Sequence, residues 1–296
     1  MQRKEEFRLF TPSVIDLHTH STCSDGTYSP SELVSLAKRI GLSAIALTDH
    51  DTLDGLAEFC AAGTACGIET ICGIEFASLW ENYHRPEIHI VGLGFDPTHP
   101  AFAARMQEIR QSRINRNRKM CEKLTAIGLP ISLEEVSANA GGEIITRAHF
   151  ANVLLQKGFI RKREDAFSRY IAPGLPAYVE REFLSPACCI RTIKEAGGVA
   201  ILAHPTLYGL SLSQIEELCL SWKPYGLDGI ECQYSTYTPA QTAEITALAE
   251  RVGLLPSGGS DFHGENKPQI HLGSGKQNLS VPYAFWDALK KRTTPV

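Results

Sequence analysis

Apolar and polar positions alternate along the chain in two rhythms. Short β-rich runs (VIDLHT, SAIALTD and ETICGIEFAS) are separated by segments with helical spacing. The first helix, SPSELVSLAKRIG, has Ser29 or Ser31 as its cap and Gly41 as its stop; the second runs from about Leu53 to Gly67. Strand, helix, strand, helix, strand predicts parallel pairing through right-handed crossovers. The stretch SLWENYHRPEIHIVGLGF then reads as two extended arms around a turn at NYHRP, a hairpin-like excursion. From Pro97 to about Tyr178 the pattern is helical and loop-like, with no convincing buried strand. After Ser185 the alternation resumes: a helix through Ala196, strand GVAILAH, a helix around Ser213 to Trp222, strand GLDGIEC, a helix from Pro239 to Val252, strand LLPSGGSD, and a closing helix near Tyr283 to Lys291. The expected architecture is an α/β barrel formed by residues 1–96 and 179–296, interrupted by a helical insertion at 97–178.

Length and composition fit this reading. The 296 residues suit one α/β barrel with an insertion, and 43% apolar content can fill a sizeable core. A net charge of −4 gives no global field that would draw the protein to nucleic acid, so an anionic substrate needs a local cationic cluster. The nine cysteines form no CxxC pair, and several lie in apolar surroundings, as reduced thiols do in a reducing cytosol. The polar start MQRKEEFRLF does not read as a signal peptide, and no apolar run reaches spanning length. A soluble, cytoplasmic protein with no membrane partner is expected.

The candidate chemistry sits at the strand ends. In DLHTHS, strand alternation places Asp16, His18 and His20 on one face, so two imidazoles can grip one ion. Asp49 and His50 follow a buried strand in ALTDHD, and Glu75 ends ICGIE. His204 stands in AILAHP, and Asp261 with His263 in SGGSDFH. Groups at the carboxyl ends of barrel strands converge on one face. His89 in EIHIVG begins a strand, and the hairpin returns it to the level of Glu75. Independently satisfied histidines would not recur at strand ends in this way, and imidazole with carboxylate suits borderline to hard divalent ions.

In this order and spacing, DLHTHS, TDHD, GIE, EIHIVG, LAHP and GSDFH resemble the polymerase and histidinol phosphatase (PHP) family of metal-dependent phosphoesterases over nearly the whole chain. SLWENYHRPEIHIVGLGFD and TRAHFANVLL narrow the likeness to its bacterial 5′→3′ exoribonucleases and 3′,5′-nucleoside bisphosphate phosphatases. The resemblance implies a distorted seven-stranded (β/α) barrel and a trinuclear centre, with manganese the leading ion and zinc, iron or magnesium the alternatives. In that scheme His18, His20, Glu75 and Asp261 hold one ion, and Glu75 bridges to a second held by His89 and His204. Asp25, His50 and His263 hold the third. Asp49 would orient a ligating imidazole from behind. His204, His263 and Asp261 are the candidates for catalytic work besides metal binding.

The expected chemistry is in-line attack on phosphorus by water activated between adjacent ions, with no covalent phosphoenzyme and no role for Ser21 or Cys23. The insertion would select the substrate, a nucleotide or short single-stranded RNA, through Arg113 and Arg116 of its arginine-rich first helix and through Arg147 and His149 of TRAHF. Two positions depart from the relatives' pattern: Leu207 follows LAHPT and Ser274 follows HLG where an arginine is usual, so that a basic contact to substrate is either absent or supplied by Lys276 or another residue. His84, His99 and His271 read as surface or structural residues. The alternatives are a small-metabolite phosphatase resembling histidinol phosphatase, an amidohydrolase, which would want a bridging lysine absent here, and a non-catalytic binding module.

Overall fold

The computed structural model describes residues 14–82, 86–140, 145–180 and 182–294. Seven strands lie side by side in chain order: β1 (Val14–Asp16), β2 (Ala44–Leu47), β3 (Glu69–Leu79), β4 (Glu87–Leu93), β5 (Val199–Leu202), β6 (Leu227–Tyr234) and β7 (Leu255–Gly259). β1 to β3 pair in parallel, β3–β4–β5 are antiparallel, and β5 to β7 are parallel again. The sheet curls until β7 meets the end of β1. The Leu17 amide donates to the Gly258 carbonyl (3.3 Å), that of Asp261 to His18 (2.8 Å) and that of His20 to Phe262 (3.0 Å).

Among the described residues the sheet has eight strands rather than the expected seven. β1 is only three residues long, and its lower part is completed by a two-residue strand, β8 (Val281–Pro282), antiparallel to Val14 and Ile15. The early end of β1 also limits the alternation argument. Beyond Asp16 the chain is no longer a regular strand, and the Asp16 carboxylate accepts from the amides of Ser260 (2.9 Å) and Gly273 (2.8 Å) instead of joining the histidines.

One face of the strands packs against α1 (Pro30–Ile40), α2 (Leu56–Cys66), α7 (Pro186–Glu195), α8 (Leu212–Trp222) and α9 (Pro239–Val252). On α1 it is Ser29 that caps, its hydroxyl accepting from the Glu32 amide while Glu32 reaches back to the Ser29 amide. The other face, with Ile15, Leu17, Val91 and Ile201, packs against Trp286 and Leu289 of α10 (Tyr283–Lys290).

The start of β3 is pinned to α10. Glu69 accepts from the Tyr283 hydroxyl (2.6 Å), Trp286 Nε1 (3.0 Å) and Lys290 Nζ (3.1 Å). Burial works against its carboxylate, but these donors outweigh burial and hold its pKa below the usual glutamate value. A depressed acid stabilises the fold above its unfolded pKa and loses that contribution as pH falls through the folded value. Glu69→Gln is therefore expected to lower stability by about 1 kcal/mol at neutral pH, the group being partly screened by solvent. In urea unfolding as a function of pH, the gap to wild type should narrow steadily as pH falls below the ordinary glutamate pKa of about 4.3. A gap that did not narrow on acidification would contradict this account.

The insertion comprises α3 (Pro100–Ala126), α4 (Leu133–Ala138), α5 (Arg147–Gln156), α6 (Arg163–Ala166) and a π-helical turn (Phe167–Ile171). It has its own apolar cluster, with Met120, Leu124, Phe150 and Leu154 at its centre. α3 belongs to both cores: Phe102 stacks on Phe95 (4.4 Å between centroids) within the barrel cluster, whereas its last turns lie in the other.

Candidate metal centre

The rim at the carboxyl ends of the parallel strands brings together all nine residues expected to hold ions, His89 reaching it from the start of antiparallel β4. Glu75, fully buried, stands in the middle. Its Oε2 lies near His18 Nε2 (3.3 Å), His20 Nε2 (3.3 Å) and His50 Nδ1 (2.9 Å). Its Oε1 lies near His89 Nδ1 (2.8 Å) and His204 Nε2 (2.9 Å). Asp261 Oδ1 is 3.2 Å from His20 Nε2, and Asp25 Oδ1 is 3.2 Å from His263 Nε2. Ala77 rather than Glu75 is the register partner of His89 in the hairpin, so the imidazole leans two residues along β3 to reach the carboxylate. The turn expected at NYHRP is described only in part: His84, with Tyr83 and Arg85, lies outside the described residues.

Close packing holds the loops. A Cβ on Gly26 would come within 2.3 Å of the His20 carbonyl oxygen, and one on Gly259 within 2.3 Å of His18 Cβ, so each turn passes where only glycine fits. Three non-glycine residues with positive φ, Asp51 (54°), His204 (24°) and Asp261 (55°), sit in or beside the cluster, where the surrounding contacts hold them against strain.

The donors are arranged for cations. Glu75 Oε2 lies within 3.3 Å of three imidazole nitrogens yet accepts no hydrogen bond, and His204 Nδ1 is buried without a hydrogen-bond partner. His18 Nδ1 bonds to Glu231 Oε1 (2.7 Å), which leaves its other nitrogen facing His20 Nε2 at 3.1 Å. Lone pairs that converge without protons between them are what a divalent ion requires. Ligand atoms of His20, Asp25, His50 and His263 all lie within 4.8 Å of one another, as do those of His18, Glu75 and His204, of His18, His20 and Asp261, and of His50, Glu75 and His89.

The charges are strongly coupled. Burial opposes the His20 cation, but Asp261 and Glu75 outweigh it and push its pKa up to about 9; His89 is pushed up to about 10 by Glu75 and Glu87 against the same burial. Conversely, burial disfavours ionised Glu75, but the imidazoles of His18, His89 and His50 hold it well below the usual carboxylate range. His263 is pushed down to about 4 by burial together with the Lys267 ammonium. A ligating histidine must be neutral, so protons compete with ions here as pH falls.

Several groups in the site were not singled out from the sequence. Glu231 on β6 bonds His18 and also accepts from the His204 amide (2.6 Å). Its signal was a carboxylate between the buried apolar residues Ile230 and Cys232. Lys267 Nζ (2.5 Å) and the Tyr234 hydroxyl (2.6 Å) both bond Asp261 Oδ2, leaving Oδ1 for the cluster. Asp49 does not touch an imidazole as expected. It accepts from the Ser21 amide (2.7 Å) and from the Ser21 and Ser24 hydroxyls (2.5 Å each), and so shapes the loop that carries Asp25.

Beside the cluster opens a cleft lined by Asp25, His50, His89, Arg113, Arg116 and Arg147, with Glu87 and Tyr178. Arg147 donates to Glu87 Oε2 (3.3 Å) and lies over the Tyr178 ring. Arg113 reaches the cleft but is ion-paired with Asp51 and donates to the Ile145 carbonyl (3.4 Å), so it ties the insertion to the barrel as well as lining the space. His149 is buried, and its Nδ1 accepts from the Thr146 amide (3.2 Å) in the cap of α5, which takes it out of the cleft lining. Leu207 is exposed (54%) and Lys276 is exposed; at the rim the cation beside the cluster is Lys267. His99 caps α3, accepting from the Ala101 amide, and His271 is exposed in a turn with Gly275.

A barrel rim carrying nine converging imidazole and carboxylate side chains beside an arginine-lined cleft is the site of a metal-dependent phosphoesterase. The chain belongs to the PHP family of these enzymes, hydrolases of phosphoester bonds. A PHP domain signature matches residues 16–128. A 5′-3′ exoribonuclease of Haemophilus influenzae is 40% identical over 248 residues, covering 84% of this chain and 89% of that protein. A 3′,5′-nucleoside bisphosphate phosphatase of Chromobacterium violaceum is 35% identical over 279 residues, covering 94% and 97%. The crystal structure of a putative metal-dependent phosphoesterase from Bifidobacterium adolescentis superposes with a TM-score of 0.84 at 29% identity, covering 97% and 99%. Among the described residues no helix is long and apolar enough to cross a membrane.

Proposed function

We propose that the enzyme hydrolyses phosphate esters of nucleotides, releasing nucleotides from the 5′ end of short 5′-phosphorylated RNA and phosphate from 3′,5′-nucleoside bisphosphates. The observation that carries this reading is the cleft, in which Arg116 and Arg147 stand beside His50, His89 and Asp25, so that an anionic chain can lie with one phosphate over the cluster and another against guanidinium. The names of the Haemophilus and Chromobacterium relatives support both substrate classes.

His18, His20, Glu75 and Asp261 would hold one ion, His89 and His204 a second bridged by Glu75, and Asp25, His50 and His263 a third, with manganese the favoured metal. When bound, such ions neutralise phosphate oxygens and lower the pKa of water. The chain's own part is to orient and exclude. Glu231 fixes the His18 tautomer and the His204 backbone, and Lys267 with Tyr234 fixes the rotamer of Asp261. Lys267, partly exposed and kept charged by the Asp261 carboxylate, stands at the rim, where a phosphate oxygen or the departing oxygen would lie. The Cys23 thiol, pushed up to about 11 by burial, stays protonated and is no nucleophile. None of the nine cysteines is disulfide-bonded in the fold, as suits the reducing cytosol in which we place the enzyme.

The test is hydrolysis by the purified protein with manganese of a 5′-phosphorylated RNA pentamer, 3′,5′-bisphosphoadenosine and histidinol phosphate, with His204→Ala as control. Turnover of the two nucleotide substrates, lost in the variant, is expected. Turnover of histidinol phosphate alone would overturn the nucleotide reading, and activity surviving in the variant would overturn the assigned ligand set.

A further inference from the structure

The nine side chains of the cluster are not supported alike. His18 and His204 lean on Glu231, and Asp261 on Tyr234, both of β6, with Lys267 also bonding Asp261; His20 is tied through its amide to the Phe262 carbonyl, and Glu75 and His89 sit on the paired strands β3 and β4. Asp25 and His263 instead sit on loops at the rim, and His50 on a single bridge to Glu75 beyond the end of β2, with side-chain exposures of 13%, 4% and 16%. Two struts from the helical insertion reach those loops.

The first strut is Arg113 of α3, ion-paired with Asp51, the residue after His50. Asp51 is buried and left-handed; its carboxylate also accepts from the Ala77 amide (3.0 Å), and its own amide donates to the Glu75 carbonyl (3.0 Å). At the insertion end, Arg113 and Arg116 both donate to the Ile145 carbonyl, at 3.4 and 3.1 Å. The second strut is Arg163 of α6, which donates to Asn266 Oδ1 (2.8 Å) and to its carbonyl (3.4 Å). Asn266 Nδ2 in turn donates to the Asp25 carbonyl (2.7 Å), and the Asn266 amide donates to the His263 carbonyl (3.4 Å). One strut thus ends beside His50 and the other holds Asp25 and His263 together.

We propose that the helical insertion is the positioning device for the Asp25–His50–His263 group, so that cation binding at this outer position depends on the insertion while binding at the inner positions does not. The proposal rests on the metal-dependent reading above and adds a regulatory coupling to it. Ligands on loops must be ordered before they can bind, and the struts bear that ordering before the ion arrives. Coupling is reciprocal: a cation that fixes the outer group also fixes the insertion through the same bonds.

The experiment is a Mn²⁺ titration of the full chain with wild type, Arg163→Met, Asn266→Ala and, as control, Lys157→Met, which breaks the Lys157–Glu135 pair lying wholly within the insertion. Arg163 and Asn266 are partly exposed, so both variants should fold. The weakest binding step is expected to lose about 10-fold or more in affinity in Arg163→Met and Asn266→Ala, with the tighter steps unchanged and Lys157→Met like wild type. Amide hydrogen exchange across α5 and α6 should slow on saturation of that step in wild type but not in the two variants. Unchanged affinities in both variants would overturn the proposal, as would equal weakening of every step, which marks a general defect. Wild-type protein that shows the full pattern yet hydrolyses no nucleotide would retire the functional reading and leave the coupling standing.

Discussion

Glu75→Gln is expected to empty the centre of its ions and to lower kcat by on the order of 10³-fold or more. One carboxylate lies within 3.3 Å of nitrogens from five histidines, and its side chain is fully buried. Glutamine keeps the volume but removes the charge and turns an amide N–H toward imidazole nitrogens that need an acceptor or a cation. Bound ions supply several kcal/mol to phosphoryl chemistry, and about 4 kcal/mol corresponds to a thousandfold in rate. Metal content by elemental analysis and kcat on a nucleotide substrate should fall together while the far-ultraviolet spectrum stays that of the wild type. A variant that kept its full metal complement would show that Glu75 is not the bridge.

Glu231→Gln should weaken metal binding by about 10- to 100-fold, the range typical of losing the group behind a ligating histidine. The Glu231 carboxylate fixes the His18 ring through Nδ1 and the turn at His204 through its amide. Glutamine can still accept one of these bonds, so the fold survives, whereas alanine would leave two buried donors unpaired at roughly 1–3 kcal/mol each. Competition with a chelator of known affinity reads the effect directly. Wild-type affinity in the variant would mean that barrel packing alone orients His18.

The two cases differ in how far the sequence discloses them. Glu75, His18, His50, His204 and Asp261 were legible because each follows or closes a buried apolar run, and strand ends of a barrel share one rim; His89 was legible only through the hairpin, and Asp25 only through the family resemblance. Glu231 was not, because its partner His18 lies 213 residues away and nothing local marks a carboxylate in GIEC as turned toward it. The same limit applies to Arg113. The sequence shows a charged stripe on a long helix but not what that stripe docks on, and the structure sets it against Asp51. Asp49 was misassigned for a subtler reason. Its place beside His50 suggested an imidazole partner, but a strand end sends neighbouring side chains apart, and Ser21 and Ser24 reach it first. The eighth strand went unread because two residues carry no periodicity.

Helix α3 carries a consequence of a different kind. Its 27 residues span about 40 Å, with proline only at the first position and no glycine along its length. One end is set in the barrel core and the other in the core of the insertion. A rod with no joint does not bend along its own length, so the spacing between its two anchored ends is set when the chain folds. Any adjustment of the insertion over the cleft then falls to its shorter helices, and α3 acts as the ruler against which they move.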